Sequence, residues 1–166
     1  MQELYYTYYE SPIGLIRIGG TDNFIAELVF IDNKDQIKHG EPGLSDLMHV
    51  CTEQLIEFFA GKRKQFNVPI HQEGTAFQGN VWSELIHIPF GSTISYLDLA
   101  KKIGDAKATR AVAAANGKNN IAIIVPCHRV IGSDKSLTGY AGGMWRKKWL
   151  LQHEFRIKNG IQVLFN

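Results

Sequence analysis

Ile121-Ala122-Ile123-Ile124-Val125-Pro126-Cys127-His128-Arg129 is the stretch from which the rest of this chain is read. Five consecutive apolar residues predict a short buried strand. Proline follows, which cannot donate to a sheet ladder and marks strand ends. The next three residues are a thiol, an imidazole and a guanidinium, held at the edge of a core. A thiol is a strong nucleophile only as thiolate, and neighbouring cationic or basic groups favour that form. The stretch therefore predicts a reactive cysteine at Cys127, with His128 beside it.

Working outward, the flanking segments read as helices. Phe77 to Ile88 places Phe77, Val81, Trp82, Leu85 and Ile86 on one inward face, and Pro89-Phe90-Gly91 ends it. Ser95 is placed to cap a helix over Tyr96 to Ile103 that stops at Gly104. A third helix fits Ala108 to Ala115 and ends at Asn116-Gly117. The two helices joined by Gly104-Asp105-Ala106-Lys107 have the dimensions of a helix-turn-helix. The second is thin: Ala108, Ala111, Ala113, Ala114 and Ala115 surround Arg110, its one long cation. Alanine suits tight packing against a neighbour as well as insertion into a groove, and composition leans towards packing. A last helix fits Met144 to Lys158, behind Gly142-Gly143.

Upstream the pattern changes. Tyr5 to Tyr9, Leu15 to Ile18 and Phe24 to Ile31 are aromatic and β-branched runs separated by turn residues, which predicts an antiparallel meander. A helix follows from Ser45 to Ala60, with Leu47, Val50, Cys51, Leu55 and Phe58 along one face and Gly61 as its stop. On that stripe Cys51 reads as a small buried hydrophobe. The polar run His71 to Thr75 divides the chain into a sheet-and-helix domain over 1–74 and a mostly helical domain over 75–166. The fold class is thus a two-domain α/β (α+β) protein.

Charge divides at the same point. Residues 1–74 hold 6 Lys+Arg against 11 Asp+Glu, and residues 75–166 hold 12 against 5, within a net charge of +2. A basic half that also carries the cysteine fits an anionic partner, nucleic acid first among them, although solvated faces are often basic too. Hydrophobic content of 45% and charged content of 20% are those of a globular protein. No apolar run reaches the length of a membrane span, and Met1-Gln2-Glu3-Leu4 lacks the pattern of a signal peptide. The expectation is a cytoplasmic protein with no membrane association. Two cysteines in unlike contexts argue against a disulfide framework or a cysteine-rich zinc site.

Three segments in register carry a family resemblance: Ile124-Val125-Pro126-Cys127-His128-Arg129-Val130-Ile131, Gly139-Tyr140-Ala141-Gly142-Gly143 and Lys148-Trp149-Leu150-Leu151-Gln152-His153-Glu154. With Gly91 to Tyr96 and Thr109-Arg110-Ala111-Val112, the chain resembles the guanine O6-alkyl DNA alkyltransferases. The resemblance implies a ribonuclease H-like N-terminal domain and a C-terminal domain with a helix-turn-helix and the cysteine motif. It implies irreversible transfer of an alkyl group from a flipped O6-alkylguanine to the protein itself, with no cofactor and no metal. Flipping is required because a stacked base hides the O6 substituent from a buried thiol.

Carried over, Cys127 is the nucleophile, His128 its base acting through a water, and Glu154 the residue that orients the imidazole. Tyr96 donates to the departing guanine, and Asn119 braces the turn before the cysteine. Arg110 fills the space of the flipped base, while Ala111 and Ala114 let the thin helix enter the minor groove. Tyr96, Arg129 and Gly142 complete the expected DNA contacts, although Arg129 reads more readily as a structural tie from strand to helix through hydrogen bonds than as a chemical group. Backbone carbonyls near Cys127 and Val130 accept from the guanine amine. The partner implied is double-stranded DNA containing O6-alkylguanine, bound by a monomer. Asn120 stands where many members have proline, which predicts a looser turn, and Ala141 stands where several have serine. A Cys–His hydrolase and a helix-turn-helix damage sensor are the competing readings of the residues alone.

Overall fold

The computed structural model describes residues 3–37 and 45–160. Two compact units emerge: one gathers the residues up to Glu73 together with Asn120–Ile124, the other Gly74–Asn119 and the residues from Val125. A single cut near residue 74 therefore misses one thing. The chain leaves the second unit after Asn119, gives five residues to the first, and returns at Val125.

In the first unit, β1 (Tyr5–Ser11), β2 (Gly14–Gly20) and β3 (Ile25–Ile31) form an antiparallel sheet in the order β1-β2-β3. The meander follows from short turns that leave each strand beside its predecessor. Helix α1 (Asp46–Phe59) packs on the sheet. Ser45 caps it, its Oγ accepting from Met48 N at 3.2 Å, and Gly61 adopts φ 77° just beyond its end. The inward stripe is Met48, Cys51, Gln54, Leu55 and Phe58. Val50 lies outside it, 42% exposed, because it is displaced by one residue from that stripe. Burial pushes the Cys51 thiol up to about 12, which makes it inert. The free edge of β3 takes single parallel bridges from Ile70 and Ile121.

The run Ile121–Val125 is not a strand. Only Ile121 bridges to β3, at Leu28. Ile124 N then donates to Ala122 O at 2.7 Å around Ile123, whose φ is 70°. That is the positive-φ γ-turn, strained in a β-branched residue. A second, inverse γ-turn follows: Cys127 N donates to Val125 O at 2.8 Å around Pro126, at φ −81° and ψ 64°. Apolar periodicity cannot distinguish a strand from a buried run of turns, and here there is no ladder to join. The turn after Asn119 is not loose either. Asn120 N donates to Gln72 Oε1 at 2.5 Å, a bond proline could not make.

The second unit contains α2 (Ala76–Ile86), β4 (Ile94–Ser95), α3 (Tyr96–Ile103), α4 (Thr109–Gly117), β5 (Val130–Ile131) and α5 (Met144–Lys158). Strands β4 and β5 pair in parallel, a contact not anticipated in the sequence. Helix α2 turns Val81, Trp82 and Leu85 inward, whereas Ile86 is 49% exposed and Phe77 half-buried. Ser95 caps α3, and Gly104 ends it at φ 101°. Asp105 then caps a 3-10 turn over Ala106–Ala108 that leads into α4. Trp82 Nε1 donates to Ala115 O at 2.9 Å and locks α2 against α4. Among the described residues, no helix is long and apolar enough to cross a membrane.

Candidate active site

Cys127 opens a 3-10 turn, Cys127–Arg129, between the inverse γ-turn and β5. Its position is fixed from behind. Asn119 Nδ2 donates to Val125 O at 2.8 Å and so ties the two ends of the five-residue excursion together. Val130 N and Asn116 Nδ2, the latter at 3.3 Å, both donate to Cys127 O. The residue is 7% exposed. Burial raises the thiol pKa, against opposing effects from Asn119 and the Lys147 charge. The resting group is therefore a thiol, and a base is needed to make it nucleophilic.

An imidazole stands next in the chain. His128 is fully buried, and its Nε2 lies 2.7 Å from Glu154 Oε2. Burial lowers the imidazole pKa even though Glu154 pulls it upward, so the ring is neutral near pH 7. A carboxylate at Nε2 selects the tautomer with its proton there, which leaves Nδ1 as the acceptor. Nδ1 is buried and has no hydrogen-bond partner among the described residues.

Glu154 lies on α5 and is fully satisfied. Its Oε1 accepts from Arg129 Nε at 2.8 Å and Gly91 N at 3.1 Å; its Oε2 accepts from His128 and from Arg129 Nη2 at 2.9 Å. Burial works against the charge, but the imidazole and guanidinium outweigh it and hold the carboxyl at about 2. Gly91 is required at this approach. Its φ is 78°, and a Cβ there would stand 2.6 Å from Lys158.

Arg129 points into the protein interior. It is 6% exposed, forks onto Glu154 and donates through Nη1 to Ile88 O at 2.7 Å. All of its geometry is used inside the protein, so the expected DNA contact gives way to the structural tie. Gly142 is half-buried, and its carbonyl accepts from Arg146 Nη1 at 2.8 Å. Tyr96 begins α3, and its hydroxyl donates to Thr138 O at 3.2 Å. On α4, Arg110, Ala111 and Ala114 are exposed together, while Val112, Ala115 and Asn116 face the core. The exposed face of this helix is thus alanine with a single cation.

Two polar residues of the site escape a reading by residue type. Lys147 is fully buried on α5; its Nζ donates to Thr138 O at 2.8 Å and approaches Tyr96 OH at 3.5 Å. Burial brings its pKa down to about 8, with the Cys127 charge acting in the opposite direction. A signal existed: Lys147, Leu150 and Glu154 share one helix face. Asn116, read in the sequence as a helix stop, is a buried member of α4.

A buried thiol, a neutral imidazole and a carboxylate that holds the imidazole are the groups that a nucleophile–base–orienter arrangement requires. Residues 4–72 match the family model for the 6-O-methylguanine DNA methyltransferase ribonuclease-like domain, and residues 76–156 match the model for that family's DNA binding domain. The methylated-DNA–protein-cysteine methyltransferase of Methanosarcina acetivorans is 44% identical, over 91% of this chain and 98% of its own. The crystal structure of the Mycobacterium tuberculosis O6-methylguanine methyltransferase is 41% identical with a TM-score of 0.84, covering 92% of this chain and 93% of that one. A Mycobacterium tuberculosis OGT in complex with DNA matches with the same identity, coverage and TM-score. With both halves matched in order, the chain belongs to the 6-O-methylguanine DNA methyltransferase family.

Proposed function

We propose that this protein repairs DNA by moving the alkyl group of O6-alkylguanine irreversibly onto Cys127. The observation that carries the reading is the buried thiol followed directly by a neutral imidazole whose far nitrogen is held by Glu154. His128 Nδ1 takes the thiol proton over a bridging water. Cys127 Sγ attacks the alkyl carbon, the carbon–O6 bond breaks, and its electron pair passes to the purine. The proton ends on the purine. Guanine and S-alkylcysteine are the products, and no cofactor or co-reactant is consumed.

Lys147 and Tyr96 act at the other end of the transfer. An ammonium near Cys127 stabilises the thiolate as it forms. The same ammonium, beside the Tyr96 hydroxyl, makes that hydroxyl a better donor to the purine as it takes up negative charge. Asn119 holds the attacking residue in place. The match of residues 76–156 to a DNA binding domain supports DNA as the partner. The exposed Arg110–Ala111–Ala114 face of α4 is the surface proposed to enter the minor groove, with Arg110 replacing the flipped base. A cytoplasmic monomer is the proposed working form.

Stoichiometry tests the reaction. Methyl transferred from an O6-methylguanine duplex should rise to one per protein and stop. Continued release of product beyond that plateau would identify a cycling hydrolase instead. Arg110 supplies a separate test. Arg110→Ala should slow transfer from duplex DNA by roughly 10-fold or more while changing reaction with free O6-alkylguanine base by less than about twofold. Equal losses on both substrates would exclude the base-replacing role.

A further inference from the structure

His128 and Arg129 are consecutive in the chain, yet both side chains converge on one carboxylate. Glu154 Oε2 accepts from His128 Nε2 at 2.7 Å and from Arg129 Nη2 at 2.9 Å, while Oε1 accepts from Arg129 Nε at 2.8 Å. The guanidinium is held on two further sides. Its Nη1 donates to Ile88 O at 2.7 Å, and the Phe90 ring centre lies 5.7 Å from its Cζ. The oxygen that faces the imidazole therefore also faces a fixed positive charge.

A general base has to be neutral before it can take a proton. A buried imidazole beside a lone carboxylate is drawn towards imidazolium, because the pair then bears no net charge. Here Arg129 already matches the carboxylate. Helices α5 and α2 pack against the turn that carries His128. From α5 come the charges of Glu154 and Lys147, whereas α2 turns the apolar Val81, Trp82 and Leu85 inward. Tyr140, which feels the charges of Cys127 and Glu154, is kept neutral by burial. Burial, Arg129 and Lys147 all lower the His128 pKa, against the upward pull of Glu154. Near pH 7 two cations thus face one carboxylate, and a proton on His128 would add a third positive charge. Arginine does not deprotonate, so its share persists at every working pH. We infer that Arg129 is a positioning residue for the transfer: by forking onto Glu154 it lets that carboxylate hold the His128 imidazole without charging it. The consequence for transfer rests on the alkyl-transfer reading above; the charge state of His128 does not.

The test compares wild type, Arg129→Gln and Arg129→Lys in the full chain by two readouts. Nitrogen NMR of the imidazole rings, with the His128 signal identified by its absence in His128→Gln, gives the pH at which that ring protonates. Single-turnover methyl transfer from an O6-methylguanine duplex gives the acidic limb of the rate. Wild-type His128 should titrate below its ordinary value of 6.5. Arg129→Gln keeps a donor to Glu154 but no charge, so both midpoints should move up by about one pH unit or more, roughly a tenfold loss of rate at the acid end. Arg129→Lys reaches one carboxylate oxygen and should show a smaller upward shift; it decides the matter if the glutamine variant does not fold. A role confined to tying the turn to α5 slows transfer alike at every pH and leaves the His128 midpoint at its wild-type position. That result would overturn the inference. Midpoints that shift as expected in a wild type and variants that transfer no methyl would refute the transfer reading and leave the control of His128 by Arg129 standing.

Discussion

Glu154→Ala is expected to lower the stability of the second unit by roughly 3–5 kcal/mol. The carboxylate is 1% exposed at its side chain and accepts from His128, from both arms of Arg129 and from Gly91 N. Removing it leaves the Arg129 guanidinium buried without its counter-charge, which is the costly way to break a buried pair. For a chain of this size the loss corresponds to a fall in midpoint of roughly 10 °C or more. Thermal or urea unfolding measures it, and a loss below about 1 kcal/mol would show that the pair contributes little. Glu154→Gln should cost less, because the amide oxygen still accepts from one side.

The same residue sets a pH dependence. Its carboxyl is held at about 2 in the folded protein, below its ordinary value of 4.5. A depressed carboxylate pKa contributes stability that is complete above pH 4.5 and is lost as the pH falls towards 2. Wild type should therefore lose on the order of 3 kcal/mol across that window, and Glu154→Ala should lack that component.

Cys127→Ser is expected to slow methyl transfer by at least about a thousandfold. A hydroxyl is close to a thiol in size, so the γ-turn and the Asn119 tie can remain in place. What disappears is a nucleophile that the neutral His128 can deprotonate. Binding to duplex DNA should change by less than about threefold, since the proposed contact face on α4 is untouched. The outcome separates the competing readings of the sequence. A damage sensor would lose no reaction, having none. Residual transfer near the wild-type rate would move the acceptor to another side chain; the other thiol, Cys51, is buried on α1 with its pKa pushed up to about 12.

Local chemistry made much of this legible before any coordinates. Ser45, Ser95 and Gly104 mark helix boundaries through hydrogen bonds and a positive φ that depend on residues close in sequence. The meander follows from short turns between β-prone runs. Pro126-Cys127-His128-Arg129 announced a site because thiol and imidazole adjacency is itself chemical information. The failures share a different cause. Ile121–Val125 is apolar because it is buried, but whether a buried run becomes a strand depends on a partner far away, and only Ile121 finds one. Arg129 could be read as facing DNA or the core, and the choice was made by Glu154, 25 residues on. Lys147 and Asn116 carry residue types that are usually exposed, and only tertiary packing places them inside.

The most direct test of the account is intact-protein mass after incubation with an excess of duplex containing one O6-methylguanine, followed by peptide mapping, with Cys127→Ser in parallel. The account predicts a gain of one methyl group per wild-type molecule, located on Cys127, matched by an equal amount of guanine formed in the DNA, and no gain in the variant. Repair of the base without a mass gain, or a methyl group mapped to any residue other than Cys127, would contradict it.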